Sequence, residues 1–225
     1  MKRIAIVTGG SGALGRVVVS ALAAKGFDVA RIDHGQAKVT QAGVLDIGGV
    51  DLTDSTAAET AVAKTVAAFG GADVLINIAG GFTWQTVVDG DPANWVRMQA
   101  MNLTTAVTMT RAALPELLKR PGARIVNIGA GAAITAAAGM GAYAASKAGV
   151  HRLTESLAAE LADRDITVNA ILPSIIDTPT NRRDMPDADT STWVSPQAVA
   201  DVLLFLASAE SRAISGALIP VTRGG

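Results

Sequence analysis

The apolar run Ile4-Ala5-Ile6-Val7 passes directly into Thr8-Gly9-Gly10-Ser11-Gly12-Ala13-Leu14-Gly15. A strand that ends in glycines and opens a helix is the start of a βαβ unit, because glycine lets the chain turn tightly. The same alternation continues to the end. Short apolar runs predict strands at Arg3–Thr8, Asp28–Asp33, Gly48–Leu52, Asp73–Ala79, Arg124–Gly129, Thr167–Leu172 and Ala217–Val221. Several are apolar almost throughout, as strands buried on both faces must be. Helices are expected between them at roughly 13–25, 54–69, 92–119, 141–163 and 196–208. Asp54 and Ser55 supply a start signal for the second, and Pro196 suits the first turn of the last. Strands and helices in this order imply right-handed crossovers and an α/β fold: one Rossmann-type, doubly wound parallel sheet of about seven strands, covering residues 1–225 as a single domain.

Composition excludes several function classes. The chain has no cysteine, so disulfides, thiolate metal sites and cysteine nucleophiles are absent. Its two histidines, His34 and His151, are far apart and no metal site is expected. A formal charge of −1 offers no footprint for nucleic acid or an anionic membrane. No stretch reaches the ~20 apolar residues of a membrane span. The N-terminal run ends in the glycine turn rather than a cleavage-like site, so it reads as a buried strand, with the cytoplasm as the expected compartment.

Two constellations carry chemistry. Glycines between a first strand and a first helix allow a pyrophosphate to approach the backbone and sit at the helix N-terminus. Asp33 closes the second strand about twenty residues further on, where an acid accepts hydrogen bonds from adenosine ribose hydroxyls. No arginine or lysine occupies positions 34–37 to meet a 2′-phosphate. NAD(H) is therefore favoured over NADP(H), although Asp33 alone would also suit a turn. The second constellation is Tyr143, the only tyrosine, four residues before Lys147. Positions i and i+4 share a helix face, and a neighbouring cation is expected to lower the phenol's pKa from about 10.

With these motifs in place, the sequence resembles the short-chain dehydrogenase/reductase family over essentially its whole length. Thr8-Gly9, Ala13 and Gly15 are similar to that family's cofactor turn, which also takes in Ser11, Gly12 and Leu14. Asp51-Leu52 is similar to its adenine-contacting pair. Asn77-Ile78-Ala79-Gly80 resembles an Asn-Asn-Ala-Gly motif with isoleucine second. Asn102 matches the helix asparagine, while Pro173 and Thr178-Pro179 match the segment beyond the sixth strand. The resemblance implies that the Ile176 backbone and Thr178 hold the nicotinamide carboxamide. It also implies that Lys147 binds the nicotinamide ribose, that Asn102 positions a relay water, and that the chain forms a homodimer or homotetramer.

One departure stands out. The family's catalytic serine lies thirteen positions before the tyrosine, and here that position is Ala130. Quinonoid dihydropteridine reductases lack the same serine. The chain is locally similar to them at Ala79-Gly80-Gly81-Phe82, Gly139-Met140, Val150-His151 and Met185-Pro186. The expected activity is hydride transfer to a small acceptor with Tyr143 as proton donor, of dihydropteridine-reductase type. An ordinary carbonyl or alcohol dehydrogenase (3-oxoacyl or hydroxysteroid-like) and a weakly catalytic NAD-binding sensor remain as alternatives. Phe82, Trp84, Ala130, Met140 and Trp193 are candidates to line a flat substrate pocket, with core packing as the competing explanation. Residues 174–195 form a polar segment, read as either a substrate lid or a disordered surface loop. His151, two turns beyond Tyr143, reads as a packing or interface residue.

Overall fold

The computed structural model describes residues 2–36 and 42–223. In chain order it contains β1 (Ile4–Thr8), α1 (Ala13–Ala24), β2 (Asp28–Ile32), β3 (Val44–Ile47), α2 (Ser55–Phe69) and β4 (Val74–Asn77). Next come α3 (Ala93–Gln99), α4 (Thr105–Leu117), β5 (Ala123–Ile128), α5 (Gly141–Glu160), β6 (Ile166–Pro173), α6 (Pro179–Asp184), α7 (Pro196–Ala207) and β7 (Leu218–Val221). The seven strands form one parallel sheet in the order β3-β2-β1-β4-β5-β6-β7. Chain direction across the sheet reverses between β1 and β4, which opens a crevice at their C-terminal ends.

Alternation along each strand divides the core in two. Ala5 and Val7 of β1, with Val74, Ile76 and Val126, pack against Leu14, Val18 and Leu22 of α1 and Val199 and Leu203 of α7. Ile6 points the other way and joins Leu75 and Ile125 against Val62 of α2, Met109 and Ala113 of α4 and Leu157 of α5. Both faces are therefore covered, as the apolar strands require.

Two expectations are corrected. The third strand is Val44–Ile47 rather than Gly48–Leu52. It pairs with Val29–Ile32, placing Asp46 beside Arg31. Asp46 interrupts the apolar run and hid the strand from its composition. Gly49 then turns the chain at φ +70°, and Asp54 caps α2 by accepting from the Thr56 N–H at 2.8 Å. The helix expected at 92–119 is broken by a π-helical turn, Ala100–Thr104, which carries Asn102; such turns often mark functional sites. The segment 174–195 is ordered. Thr178 caps α6, Ile176 bridges to Val194, and Thr190–Thr192 form a 3₁₀ turn.

Candidate active site

A cleft of about 1000 Å³ follows the C-terminal strand ends from Asp33 to Tyr143. At one end lies the glycine turn. Gly9 has φ +64°, a region that favours glycine, and a Cβ there would stand 2.8 Å from the Ala79 nitrogen. The close approach of the two loops is held by Thr8, whose Oγ1 accepts from the Ile78 and Ala79 N–H groups at 3.1 Å each. Gly15 is equally obligatory, because its Cβ would collide with the Gly9 carbonyl oxygen. Gly12 begins α1 and gives it no side-chain cap, unlike Asp54, Thr178 and Ser195 on later helices. The first-turn N–H groups of α1 thus point at the cleft with the positive end of the helix dipole behind them. We expect Gly9→Ala to weaken NADH binding at least tenfold and to destabilise the fold by about 1–3 kcal/mol, measurable by fluorescence titration and chemical denaturation.

Asp33 stands at the same end with both oxygens engaged. Oδ2 accepts from the Ser11 N–H at 2.9 Å and Oδ1 from the Gly35 N–H at 3.1 Å. These bonds aim the carboxylate into the cleft beside His34, a lining residue that sequence reasoning passed over. Asp51 accepts from both the N–H and the hydroxyl of Thr53, which hold its carboxyl below the usual range. Glycine backbone, uncapped helix and acid fit a dinucleotide: N–H groups for phosphate, a carboxylate for ribose hydroxyls.

At the other end, Tyr143 and Lys147 project from the first turns of α5. The Lys147 Nζ donates to the Ile128 carbonyl at 2.7 Å and is almost wholly buried. The Tyr143 ring meets Phe82 edge to face, with centroids 5.0 Å apart. Burial pushes the Lys147 ammonium down to about 8 and the Tyr143 phenol up to about 12. The expected lowering of the tyrosine by its lysine is therefore reversed. An i,i+4 pair on a wet helix surface would behave as expected, but here removal of water outweighs attraction. Tyr143 holds its proton firmly near neutrality.

Asn102 lies under this end rather than in the cleft wall. Its Oδ1 accepts from the Gly81 N–H at 2.9 Å, and its Nδ2 donates to the Gly81 carbonyl and to Ser146 Oγ, each at 3.0 Å. Both amide hydrogens are engaged by protein, so the side chain clamps the loop after β4 onto α5.

Among the expected cofactor residues, Gly9, Ser11, Gly12, Ala13, Leu14 and Gly15 line the cleft with Asp33, Asp51 and Leu52. Ala79, Gly80, Tyr143, Lys147, Ile176 and Thr178 line it as well. Asn77 and Pro173 do not. Asn77 is buried in the sheet, donating to Thr110 Oγ1 and Asn127 Oδ1, and so ties β4 to α4 and β5. Pro173 is buried at the end of β6, opposite Val221. Of the substrate candidates only Phe82 borders the cleft. Trp193 is 4% exposed and packs as core. Trp84 is 60% exposed, lies over Gly139 and donates its indole N–H to the Ala138 carbonyl at 3.0 Å. Met140 stands at the N-terminus of α5 without facing the cleft. Ala130 is buried, its N–H directed at His151 Nε2 3.4 Å away. His151 fills the space a side chain at Gly129 would need, so packing explains it. Sequence reasoning also missed Ile128, whose carbonyl receives the lysine, and Arg97 and Thr105 on the cleft wall. The only signal for Ile128 was its place at the end of a strand.

A parallel sheet with a glycine turn at its switch point and a tyrosine–lysine pair at the far end of one cleft defines a nicotinamide-dinucleotide oxidoreductase. Residues 3–189 match the family model for short chain dehydrogenase, and the chain belongs to that family, whose members bind NAD(P)(H). It is similar to galactitol 2-dehydrogenase of Rhizobium johnstonii, at 35% identity over 98% of this chain and 93% of that protein. It is also similar to 2,5-dichloro-2,5-cyclohexadiene-1,4-diol dehydrogenase of Sphingobium indicum, at 32% identity over 99% and 95%. Among solved structures, the ligand-free aldohexose dehydrogenase of Thermoplasma acidophilum matches with a TM-score of 0.89 and 25% identity, over 98% of this chain and 92% of that one. No helix among the described residues is long and apolar enough to cross a membrane.

Proposed function

We propose that this chain transfers hydride between NAD(H) and a small acceptor, with Tyr143 as proton donor to the reduced atom. The observation that carries this reading is the continuous cleft that runs from Asp33 to Tyr143. The nicotinamide, when bound, supplies the hydride. The protein's part is to orient and to move the proton. Uncapped N–H groups of α1 receive the pyrophosphate, Asp33 receives ribose hydroxyls, and Ile176 with Thr178 borders the nicotinamide end. Asp33 also repels a 2′-phosphate, which supports NAD(H) over NADP(H). Lys147 lies on the same helix face as Tyr143, where its Nζ can serve the second ribose. Thr178, Thr180, Asn181 and Asp184 form one wall of the cleft, which supports residues 174–195 as a substrate lid.

Position 130 narrows the acceptor. A buried alanine there offers no hydroxyl to polarise a carbonyl, and one such donor is worth about 10²–10³ in rate. Acceptors already activated, such as quinonoid rings or iminium-like C=N bonds, lose less by its absence. This supports a dihydropteridine-reductase-like acceptor. The second reading, a carbonyl or alcohol dehydrogenase, is favoured by the relatives, whose names describe oxidation of a polyol and of a ring diol. Absorbance of NADH followed against ketones, sugars and a quinonoid dihydropterin separates the two. We expect Ala130→Ser to raise kcat/KM for simple ketones by about 10- to 100-fold. Vigorous wild-type turnover of plain ketones, indifferent to that substitution, would eliminate the activated-acceptor reading.

A further inference from the structure

Arg97, on α3, borders the cleft and takes no part in the chemistry above. Its Nη2 donates to Asn94 Oδ1 at 2.7 Å and to Thr83 Oγ1 at 3.3 Å. Asn94, one turn earlier on the helix, is 3% exposed and so a fixed anchor. Thr83 directly follows Phe82, whose ring meets that of Tyr143. The guanidinium is thereby held at the end of the cleft where the proton donor stands. Both of its acceptors are neutral, which fixes the cation's place without cancelling its charge. No ion pair among the described residues includes Arg97. Its Nε–H and both Nη1 hydrogens make no hydrogen bond to the described residues. The acids of the cleft do not alter this balance. Asp33 and Asp51 stand at the opposite end, and Asp184 accepts from Arg183 Nε at 3.1 Å. Lys147 adds to the positive field at this end rather than offsetting it.

We propose that Arg97 receives an anionic group of the acceptor, a carboxylate or a phosphate borne on the part of that molecule beyond the reacting atom. The inference rests on the hydride-transfer reading of the cleft and adds a substrate class to it: acidic small molecules rather than neutral ones. A guanidinium stays charged at any ordinary pH, and its planar donors match an oxyanion. One already held by Asn94 and Thr83 loses little freedom when the anion arrives, so more of the attraction appears as affinity. Phe82, half exposed between Tyr143 and Thr83, supplies an apolar face along which the body of the acceptor can lie. The acceptor is then gripped at three points: its reacting atom at Tyr143, its body on Phe82 and its charge at Arg97. A pyrophosphate of the cofactor has the same oxyanion chemistry, and NADH affinity separates the two sources.

Calorimetric titration of benzoate and of benzamide into the intact chain tests this, because the two probes share a ring and a shape and differ in charge. Saturating NADH is present throughout, so that the phosphate site at the glycine turn is filled. At low ionic strength the wild type should bind benzoate about tenfold more tightly than benzamide. In Arg97→Gln that preference should vanish. In Arg97→Lys much of it should return, since the charge is kept on a stem of similar length. NADH affinity should stay near its wild-type value in both variants. A merely structural arginine would alter both probes alike, so an unchanged ratio in Arg97→Gln overturns the inference. Equal binding of the two probes by wild type, or binding of neither, overturns it as well. Loss of NADH affinity in Arg97→Gln assigns the guanidinium to the pyrophosphate and has the same effect. Wild-type protein that binds no NADH overturns the dinucleotide reading instead, and the same titrations without cofactor still test Arg97.

Discussion

Replacing Tyr143 by phenylalanine is expected to lower kcat by about 10²–10⁴-fold, the usual worth of a positioned proton donor. The NADH dissociation constant should stay within about threefold of wild type, since a hydroxyl that acts mainly in the transition state contributes little to uniform binding. The substitution isolates the hydroxyl, because the ring that meets Phe82 at 5.0 Å and 88° is kept. Burial holds the phenol at about 12, so the proton is present throughout the neutral range. That is the state needed for reduction. Oxidation, which would begin from phenolate, is disfavoured at neutral pH in the cofactor-free protein and should rise with pH towards the alkaline limit. Steady-state rates in both directions, with titration of NADH into each protein, check the expectation. A variant that keeps a third or more of wild-type kcat would remove Tyr143 from the chemistry.

What could be read from sequence follows the kind of information each residue carries. The glycine turn, Asp33 and the alternating core were legible because they depend on chain neighbours and on period: Ile6 and Ala5 must face opposite sides of a pleated strand wherever the chain goes. β3 was not, since Asp46 is an acceptable strand residue only when Arg31 stands across from it, a fact of register rather than composition. Resemblance placed Asn77 and Pro173 beside a cofactor because neighbouring motif positions usually lie there. A strand, however, turns alternate side chains away from its end, and Asn77 points into the sheet. Asn102 was found but its clamp was not, for no local pattern announces that Gly81 and Ser146 will share its amide. The sign of the tyrosine shift failed for a similar reason. Spacing reports the distance to a charge and says nothing about the water removed around both groups.

Removal of Lys147 should make the cofactor-free protein more stable and leave it inactive. Its ammonium is depressed from 10.5 to about 8 by burial. The difference corresponds to about 3 kcal/mol, to order of magnitude, by which the charged form disfavours the native state. Below pH 8 both native and unfolded chains hold the proton and the full penalty applies. Between pH 8 and 10.5 only the unfolded chain binds it, so stability rises with pH across that window. Tyr143 acts oppositely: its native pKa of about 12 exceeds the ordinary 10, so stability falls between pH 10 and 12. In Lys147→Met the Ile128 carbonyl loses its donor, a loss of about 1–3 kcal/mol that offsets part of the gain. At pH 7 the variant should therefore match or exceed wild type in stability, by up to roughly 2 kcal/mol. The advantage should shrink as pH climbs through 8 to 10.5, and urea denaturation at pH 7 and pH 10 measures it. A variant less stable than wild type by the same amount at both pH values would show that the lysine's charge is well accommodated in the empty cleft. NADH supplies the complementary test, because at a given concentration a ligand that binds more tightly stabilises the native state more. If Lys147 serves the nicotinamide ribose, saturating NADH should stabilise wild type more than Lys147→Met, narrowing or reversing the order seen without cofactor. A residue that weakens the empty fold and strengthens the filled one is held there by function rather than by packing.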